Sequence, residues 1–244
     1  MGWGWSLLNP LASMAIYTFV FSVVFKLRDN RPIGHPSGIS SYPVYLLAGL
    51  LAWNFFNITI GTSMSSMIGN GSLVKKAAFP RSAIVLATVA AQLMTFLIEL
   101  GLLSVVVLAL RHMVLPFLPI ALLLVVLLAM FTSGLALVLA GLNVYLRDLQ
   151  HLWTLFAQML FYATPIVYPV SLVHEALSGR RAWIRRVYDA NPVGVFVRAF
   201  RNVFFDLRVP AARTFGALLV MAVASMVIGF AVFSKLERRL AEEL

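Results

Sequence analysis

Six long apolar stretches constrain this 244-residue chain more than any other feature of its sequence. The hydrocarbon core of a bilayer is about 30 Å thick, and roughly 20 apolar helical residues are needed to cross it. The stretches fall at about 7–25, 43–62, 83–110, 118–146, 152–170 and 215–233. A soluble core does not need six apolar runs of this length. The sequence therefore predicts an all-α membrane protein with six transmembrane helices.

The composition supports this prediction and limits the other classes of protein. Hydrophobic residues make up 61% of the chain and the mean hydropathy is +0.92, whereas soluble domains contain about 45–50% apolar residues. A net charge of +10 would suggest nucleic acid binding in a soluble protein. In a membrane protein, basic residues anchor helix ends against lipid phosphates. We therefore expect membrane lipids, and no nucleic acid, as partners of these charges, and a single domain over residues 1–244.

The distribution of basic residues leaves the orientation in the membrane open. Six spans put both termini on the same side. If that side is cytoplasmic, the inner loops carry 7 of the 19 lysines and arginines and the outer loops carry 12, which is the reverse of the positive-inside rule. Eight of those 12 lie between residues 180 and 213, a segment that looks partly embedded in the membrane.

The connection between the second and third spans starts with polar residues and ends with basic ones. Glycine and asparagine at 69–71 end the preceding helix, and a short helix is predicted over 72–79. Its apolar side would consist of Leu73, Val74, Ala77 and Phe79, with Lys75 and Lys76 exposed. A short helix beyond the membrane can dock in a cleft of a soluble partner. The alternative is a basic loop that anchors two helix ends.

A second polar connection, between the fourth and fifth spans, places Arg147 next to Asp148. Adjacent helical residues project about 100° apart, so these two side chains cannot pair well with each other. Asp148 is well placed as the N-cap of the fifth span. Arg147 is expected to bind a lipid phosphate or a partner protein, and anchoring of the span is the alternative.

The end of the fifth span contains two prolines, in the run Thr164-Pro165-Ile166-Val167-Tyr168-Pro169. Each proline removes a backbone amide and disrupts the helix. Within the hydrocarbon region, broken backbone is tolerated only where protein or a water-filled cavity satisfies it. This run is therefore the predicted mouth of a pathway.

Two short helices separated by Asn191 and Pro192 are predicted after this run. In the second helix, Phe196, Val197, Phe200 and Phe204 fall on one side, and Arg198, Arg201 and Asn202 fall on the other. This pattern is typical of a helix that lies in the membrane interface or re-enters it. The sequence thus predicts a re-entrant or interfacial helical hairpin between spans five and six, with an ordinary surface loop as the alternative.

A polar stripe runs along the third span. Its members, at spacings i, i+4, i+7 and i+11, are Thr88, Gln92, Thr95 and Glu99. An ionisable group within the membrane is by default a functional hypothesis, and the alternative is hydrogen bonding between helices. We favour the alternative, because one carboxylate without a relay makes a poor proton pathway.

The chain lacks the motifs of several enzyme classes. It contains no cysteine, no P-loop, no H-E-x-x-H and no G-x-S-x-G sequence, and its four histidines occur singly. We therefore expect neither an enzyme nor a metal or cofactor site in this chain. If the protein is a pump, a separate subunit supplies the energy.

Five short motifs occur in the same order in one family of membrane proteins. They are Trp3-Gly4-Trp5-Ser6-Leu7-Leu8-Asn9-Pro10, LVKKAAFPR at 73–81, NVYLRDL at 143–149, TPIVYP at 164–169, and Asn191-Pro192 followed by Phe200-Arg201. Over nearly the whole chain they resemble the permease subunit of type-2 ABC exporters. The resemblance is to those that move lipid-linked polysaccharides such as O-antigen, teichoic acid or cell-wall galactan.

The resemblance implies an assembly and a location. Two such permeases form the conduit as a homodimer, and two ATPase subunits, which bind ATP and Mg, lie on the cytoplasmic side. The bacterial cytoplasmic membrane is implied, with both termini cytoplasmic. The residues expected to contact the ATPase are Leu73, Lys75, Lys76, Phe79, Arg81, Arg147 and Asp148. Such permeases usually carry an amphipathic helix before the first span, which the sequence lacks here, so we expect a late start codon or a truncation.

In this interpretation, closure of the ATPase subunits pushes on the 72–79 helix and opens a path between the two copies. Aromatic faces suit a glycan, because sugar C–H surfaces stack on them. The candidates for the path and its gate are Tyr17, Phe21, Trp53, Phe56, Phe161, Tyr162, Pro165 and Tyr168. The alternative for each aromatic residue is an interfacial belt or lipid-facing packing.

Three other functions stay open at this point. One is an exporter of drugs or small lipids within the same superfamily, and another is a passive channel. The third is an intramembrane enzyme that uses Glu99 with Arg111 or His112. Neither the glycan nor its lipid carrier can be read from the residues.

Overall fold

A computed structural model describes residues 12, 16, 19, 33–71, 80–146, 148–176 and 182–237. Across these ranges the regular secondary structure is helical, without strands. The helices are α1 (Tyr42–Gly69), α2 (Ser82–Ala109), α3 (Leu118–Tyr145, after a 3-10 turn at Leu115–Phe117), α4 (Leu149–Tyr162), α5 (Val170–Ala176), α6 (Ala182–Asp189), α7 (Pro192–Phe204) and α8 (Ala212–Glu237).

Four of these helices are long and apolar enough to cross a membrane. They are α1, α2, α3 with its 3-10 turn, and α8, of 28, 28, 31 and 26 residues. They match the second, third, fourth and sixth predicted spans. The first predicted span, 7–25, lies outside the described residues apart from three positions. The protein is therefore a multi-pass membrane protein, as the apolar runs predict.

The helix of the fifth predicted span ends earlier than the predicted bound of 170, next to the prolines expected to disrupt it. The observed α4 has 14 residues and ends at Tyr162, eight residues before the predicted end at 170. At about 1.5 Å per residue it is roughly 21 Å long, which is shorter than the hydrocarbon core. The cause is Pro165, since a proline has no backbone N–H to donate the hydrogen bond that the next turn of helix requires. The chain leaves the helix in a turn, in which the Thr164 amide donates to the Phe161 carbonyl (3.2 Å).

The chain divides into two compact units. The first comprises residues 1–53, 95–124 and 161–215. It contains the start of α1, the segment after α4, and the helices α5, α6 and α7. Its core includes three phenylalanines of α7, at positions 196, 200 and 204, each with none of its surface exposed.

The second unit comprises residues 54–94, 125–160 and 216–244. Within it, α3 and α8 approach closely through glycines. A Cβ atom on Gly229 would lie 2.6 Å from Gly134 Cα, and Ser225 Oγ donates to the Phe131 carbonyl (2.7 Å). Small residues let two membrane helices approach in this way. Asn143 Nδ2 on α3 also donates to the Met64 carbonyl on α1 (3.1 Å).

Candidate functional site

The site is built around the non-helical segment that follows α4. Residues 166–168 lie between Pro165 and Pro169. The carbonyls of 165–168 are outside a regular helix, yet Pro165, Ile166 and Val167 are buried. A buried carbonyl that finds no donor costs about as much as a lost hydrogen bond. Side chains from the start of α1 and from α7, which belong to the first compact unit, supply these donors.

Arg201 of α7 provides two of the donors. Its Nη1 donates to the Pro165 carbonyl and its Nη2 to the Ile166 carbonyl. Its Nε donates to the carbonyl of Tyr45 on α1 (3.2 Å). The guanidinium carbon also lies 3.7 Å from the centre of the Tyr45 ring, a cation–π geometry. One buried cation thus joins three parts of the chain.

Two tyrosines of α1 hold the next two carbonyls. The Tyr42 hydroxyl donates to the Val167 carbonyl (2.7 Å) and the Tyr45 hydroxyl donates to the Tyr168 carbonyl (3.1 Å). Four consecutive carbonyls, 165–168, therefore each accept a hydrogen bond from a side chain. We call Tyr42, Tyr45 and Arg201, with these four carbonyls, the carbonyl clamp.

A glycine of α1 makes room for the guanidinium. A Cβ atom on Gly49 would lie 2.9 Å from Arg201 Nη2 and 3.1 Å from Val197 Cγ1. Both distances are shorter than ordinary van der Waals contact. Gly49 lies one helical turn beyond Tyr45, so a single face of α1 supplies the ring, a carbonyl and the space that Arg201 needs.

The charge of Arg201 is balanced by dipoles. Burial lowers the pKa of its guanidinium from the ordinary value, but an arginine stays protonated in proteins. Among the described residues, the ion pairs within 4.0 Å do not include Arg201. Its charge is instead compensated by three carbonyls and the face of an aromatic ring. Pairing with backbone carbonyls is one way in which arginines are accommodated in membranes.

Asn191 joins the start of the segment to α7. Its Oδ1 accepts from the amides of Val193 (3.1 Å) and Gly194 (3.4 Å), which makes it the N-cap of α7. Its Nδ2 donates to Thr164 Oγ1 (2.9 Å). The helix then begins with Pro192, which suits a first helical position. The same asparagine therefore starts α7 and fixes the residue before Pro165.

A series of polar groups connects the segment to α6. The Tyr168 hydroxyl donates to the Tyr162 carbonyl (2.6 Å), and the Tyr188 hydroxyl lies 3.5 Å from that of Tyr168. Burial raises the pKa of Tyr188.

Asp189, the last residue of α6, contacts both α7 and α5. Arg198 Nη2 donates to the Asp189 carbonyl (2.8 Å), and burial lowers the pKa of this arginine. His174 Nε2 on α5 lies 3.0 Å from Asp189 Oδ1.

The sequence pattern places Arg201 on the polar side of α7, opposite the phenylalanines, whereas the structure buries it as well, with only 5% of its surface exposed. The reason is that Arg201 finds its partners in the carbonyls of a segment about 35 residues earlier. Asn191, Pro192 and Arg198 do lie at the start of α7 and against α6, as the predicted helix pair requires.

The described candidates for the path differ in exposure. Trp53 and Phe161 pack edge to face, with ring centres 5.5 Å apart. Phe56 is buried between Phe131 and Trp153 in the second compact unit. The Tyr162 side chain is the most exposed of the candidates within the described ranges, at 65%. Pro165 and Tyr168 belong to the clamped segment, and Tyr17 and Phe21 lie outside the described residues. The role of all eight as a path stays a prediction.

Most residues expected to contact an ATPase lie outside the described residues, namely Leu73, Lys75, Lys76, Phe79 and Arg147. Arg81 is described, and its amide donates to Glu237 Oε1 (3.0 Å) while its Nη1 donates to the Glu237 carbonyl. A cation at the carboxyl end of a helix such as α8 is favourable. Asp148 directly precedes α4, and its carbonyl accepts from the amides of His151 and Leu152 (3.0 and 3.1 Å), the position expected of an N-cap.

The polar stripe of α2 bonds to none of the other helices that the structure describes. Thr88 Oγ1 donates to the Ile84 carbonyl of its own helix (3.0 Å). Within the described ranges, Gln92, Thr95 and Glu99 make no side-chain hydrogen bond to a neighbouring helix. Glu99 is 8% exposed. The predicted interhelical hydrogen bonding is therefore not found in the described part of the chain, and the role of the stripe stays open.

Several residues of the site were missed by the sequence analysis, namely Tyr42, Tyr45 and Gly49. The available signal is Arg201 itself, because an arginine in a membrane-embedded helix pairs with another ionisable residue or with backbone carbonyls. Two tyrosines three residues apart on α1 are suitable donors, but their spacing alone does not identify a partner.

Comparison with known proteins identifies the family. The family model described as ABC-2 type transporter matches residues 1–205. The chain belongs to the ABC-2 transporter family. This ABC-2 protein is 29% identical over 246 residues to a protein of Myxococcus xanthus named O-antigen export system permease protein RfbA. It is also 29% identical, over 252 and 250 residues, to two proteins of the same name from Klebsiella pneumoniae.

These matches extend over the entire ABC-2 chain. All of it is aligned in each comparison, with 88%, 88% and 87% of the three relatives. The clamp residues and the segment 165–168 fall within residues 1–205, which the family model covers. The family expected from the five sequence motifs is thereby confirmed.

Proposed function

We propose that this chain is the transmembrane subunit of an ATP-driven exporter that moves a lipid-linked polysaccharide across the bacterial cytoplasmic membrane. O-antigen, teichoic acid and galactan are the polymers of this type. The observation that carries the proposal is the alignment of the whole chain with three permeases named for O-antigen export. The sequence has no P-loop, so ATP hydrolysis belongs to a separate subunit.

The proposed assembly contains two copies of this chain and two ATPase subunits. Each copy has six spans and a re-entrant hairpin before the last span, with both termini in the cytoplasm. Two helices support an intermolecular contact by their exposed apolar surface. In the most apolar windows of α2 and α8, only 33% and 17% of residues are buried within the chain. Such surfaces suit lipid or a second copy.

The proposed coupling route starts at residues 72–79, where the ATPase docks. Arg81 follows this segment after a single proline and is hydrogen-bonded to the last residue of α8, Glu237. A push on residues 72–79 is thus passed directly to α8 as well as to α2. Stiff helices that shift between discrete packings can transmit such a push.

The proposed route of the glycan passes the segment after α4. Aromatic rings line it by stacking on sugar C–H surfaces, and Tyr162 supports this assignment because its side chain is exposed and can meet a ligand. Tyr168 acts as part of the gate, since its hydroxyl donates to the Tyr162 carbonyl at the end of α4, a bond that movement of the segment away from α4 would break.

Deletion of the gene in its host tests the proposal. Cells are expected to lose the polymer from their surface and to accumulate it on its lipid carrier inside, with recovery when the chain and its P-loop ATPase partner are supplied together. Purification of a tagged chain should recover that ATPase. Surface polymer that persists in the deletion strain, or transport that continues without a nucleotide hydrolase, contradicts the proposal. Loss of drug resistance with unchanged polymer would favour the exporter of drugs or small lipids.

A further inference from the structure

The carbonyl clamp contains a cation that the chain itself supplies. Four carbonyls in succession, 165–168, point their partial negative charges at donors on α1 and α7. The guanidinium of Arg201 bonds to two of them and also to the Tyr45 carbonyl. No other residue type presents donors in such a planar fork, so lysine cannot replace arginine at this position.

This arrangement makes three segments mechanically dependent on one side chain. If α7 moved away from α1 alone, Arg201 would lose the Tyr45 carbonyl and its contact with the ring. If the segment moved alone, the carbonyls of Pro165 and Ile166 would lose their donors. Both changes leave buried polar groups unsatisfied, which is costly. A joint movement of all three segments breaks none of these bonds.

We propose that Arg201 is a positioning residue for export, which holds residues 165–168 and the start of α1 to α7 so that the three move as one body. The inference rests on the proposed function, because it assigns the moving body to a transport cycle. Tyr42 and Tyr45 complete the clamp, and Gly49 provides the space for the guanidinium.

Cysteine labelling tests the clamp without any substrate. The natural chain has no cysteine, so Ile166→Cys, at a position with 0% exposure, introduces one reporter thiol. In the purified permease–ATPase complex, maleimide should label this thiol slowly. The additional change Arg201→Ala should raise the labelling rate by about tenfold, because the segment is released. Millimolar guanidinium chloride should lower the rate again by occupying the vacated site, whereas sodium chloride should not.

Two controls separate release of the segment from general loosening. Arg208→Ala removes an exposed arginine of the same unit that bonds to Asn202 and Asp206, and it should leave the labelling of the reporter thiol unchanged. Val209→Cys, at an exposed position, should label at the same rate with and without the change Arg201→Ala. If Arg201→Ala does not reach the membrane, the double variant Tyr42→Phe/Tyr45→Phe removes two hydroxyls only and should also speed labelling of the reporter thiol.

The role in export is tested in the host by surface polymer. At equal membrane levels of the chain, Arg201→Ala and Arg201→Lys should display about tenfold less polymer, while Arg208→Ala should match the natural chain. Unchanged labelling in Arg201→Ala overturns the clamp. Faster labelling with unchanged polymer overturns the positioning role. Polymer that persists without the whole chain refutes the proposed function instead, and leaves the labelling result standing.

Discussion

A single glycine decides whether the clamp can form. Gly49 lies on α1, and a Cβ there would meet Arg201 Nη2 at 2.9 Å and Val197 Cγ1 at 3.1 Å. The guanidinium is fixed by three hydrogen bonds, so it cannot yield without losing one of them. At this position a methyl group is therefore a steric problem, even though alanine favours helix more than glycine does.

Gly49→Ala should destabilise the folded chain by about 1–3 kcal/mol, the usual cost of overpacking a filled site. The measurement is the thermal unfolding midpoint in detergent. Gly61→Ala on the same helix is the matched control, because a Cβ there meets no atom within 4 Å and alanine raises helix propensity by about 1 kcal/mol. Equal midpoints for the two variants would contradict the predicted crowding at Gly49.

Asn191 should make two separable contributions to the free energy of unfolding. Asn191→Ala loses both the N-cap and the bond to Thr164, and each is worth about 1 kcal/mol. Asn191→Asp keeps an acceptor for the amides of Val193 and Gly194 but cannot donate to Thr164 Oγ1. Unfolding in detergent should rank the natural chain above Asn191→Asp and Asn191→Ala last. An aspartate variant no more stable than alanine would show that the cap contributes little.

At the scale of elements, the apolar runs predict the long helices well and the short ones poorly. The starts of α1, α2 and α3 lie within one residue of the predicted spans, because apolarity and helix coincide there. At the end of α4, apolar sequence and helix no longer coincide, since Ile166 and Val167 are apolar although the prolines end the helix. Hydropathy indicates which residues avoid water, but it does not detect a proline that lacks the backbone N–H needed for helix.

The orientation of α7 could not be predicted for a different reason. A helical projection places Phe196, Phe200 and Phe204 on one side and Arg201 on the other, but it does not say what each side contacts. Arg201 faces carbonyls of a segment that is distant in sequence and irregular in structure. Such a partner has no side-chain signature, so the sequence pattern predicts an interfacial or re-entrant helix without identifying a partner for Arg201.

The contact between α3 and α8 should be intolerant of a methyl group. In Gly229→Ala, the new Cβ would lie 2.6 Å from the backbone Cα of Gly134, so the two helices must separate. Overpacking of this kind costs about 1–3 kcal/mol or more. Gly216→Ala on α8 meets no atom within 4 Å and serves as the control. The detergent unfolding midpoint should fall for Gly229→Ala alone, and a parallel fall in both would refute the close approach.

At the scale of the whole molecule, the proposed function divides the work between this ABC-2 chain and a separate ATPase subunit. The chain offers the membrane part, and Arg81 links the predicted docking segment to the end of α8. Loss of this link should leave ATP hydrolysis intact and impair the coupling of hydrolysis to export.

Arg81→Ala should therefore retain ATP hydrolysis by the assembled complex but reduce surface polymer by about tenfold, since the side-chain hydrogen bond to the Glu237 carbonyl is lost. Arg213→Ala, an exposed arginine at the start of α8, should change neither quantity. Phosphate release by the purified complex and polymer on cells are the two measurements. Hydrolysis and polymer falling in proportion would indicate loss of assembly and not of coupling.

The space beside Tyr45 has an evolutionary consequence. In a homologue with alanine at the position of Gly49, the Cβ would crowd the guanidinium, so we expect such a homologue to supply donors to the carbonyls after α4 in another way. The two positions should consequently coevolve: lineages that lose the glycine should also lose the arginine, and the tyrosines three residues apart should be replaced in the same branches.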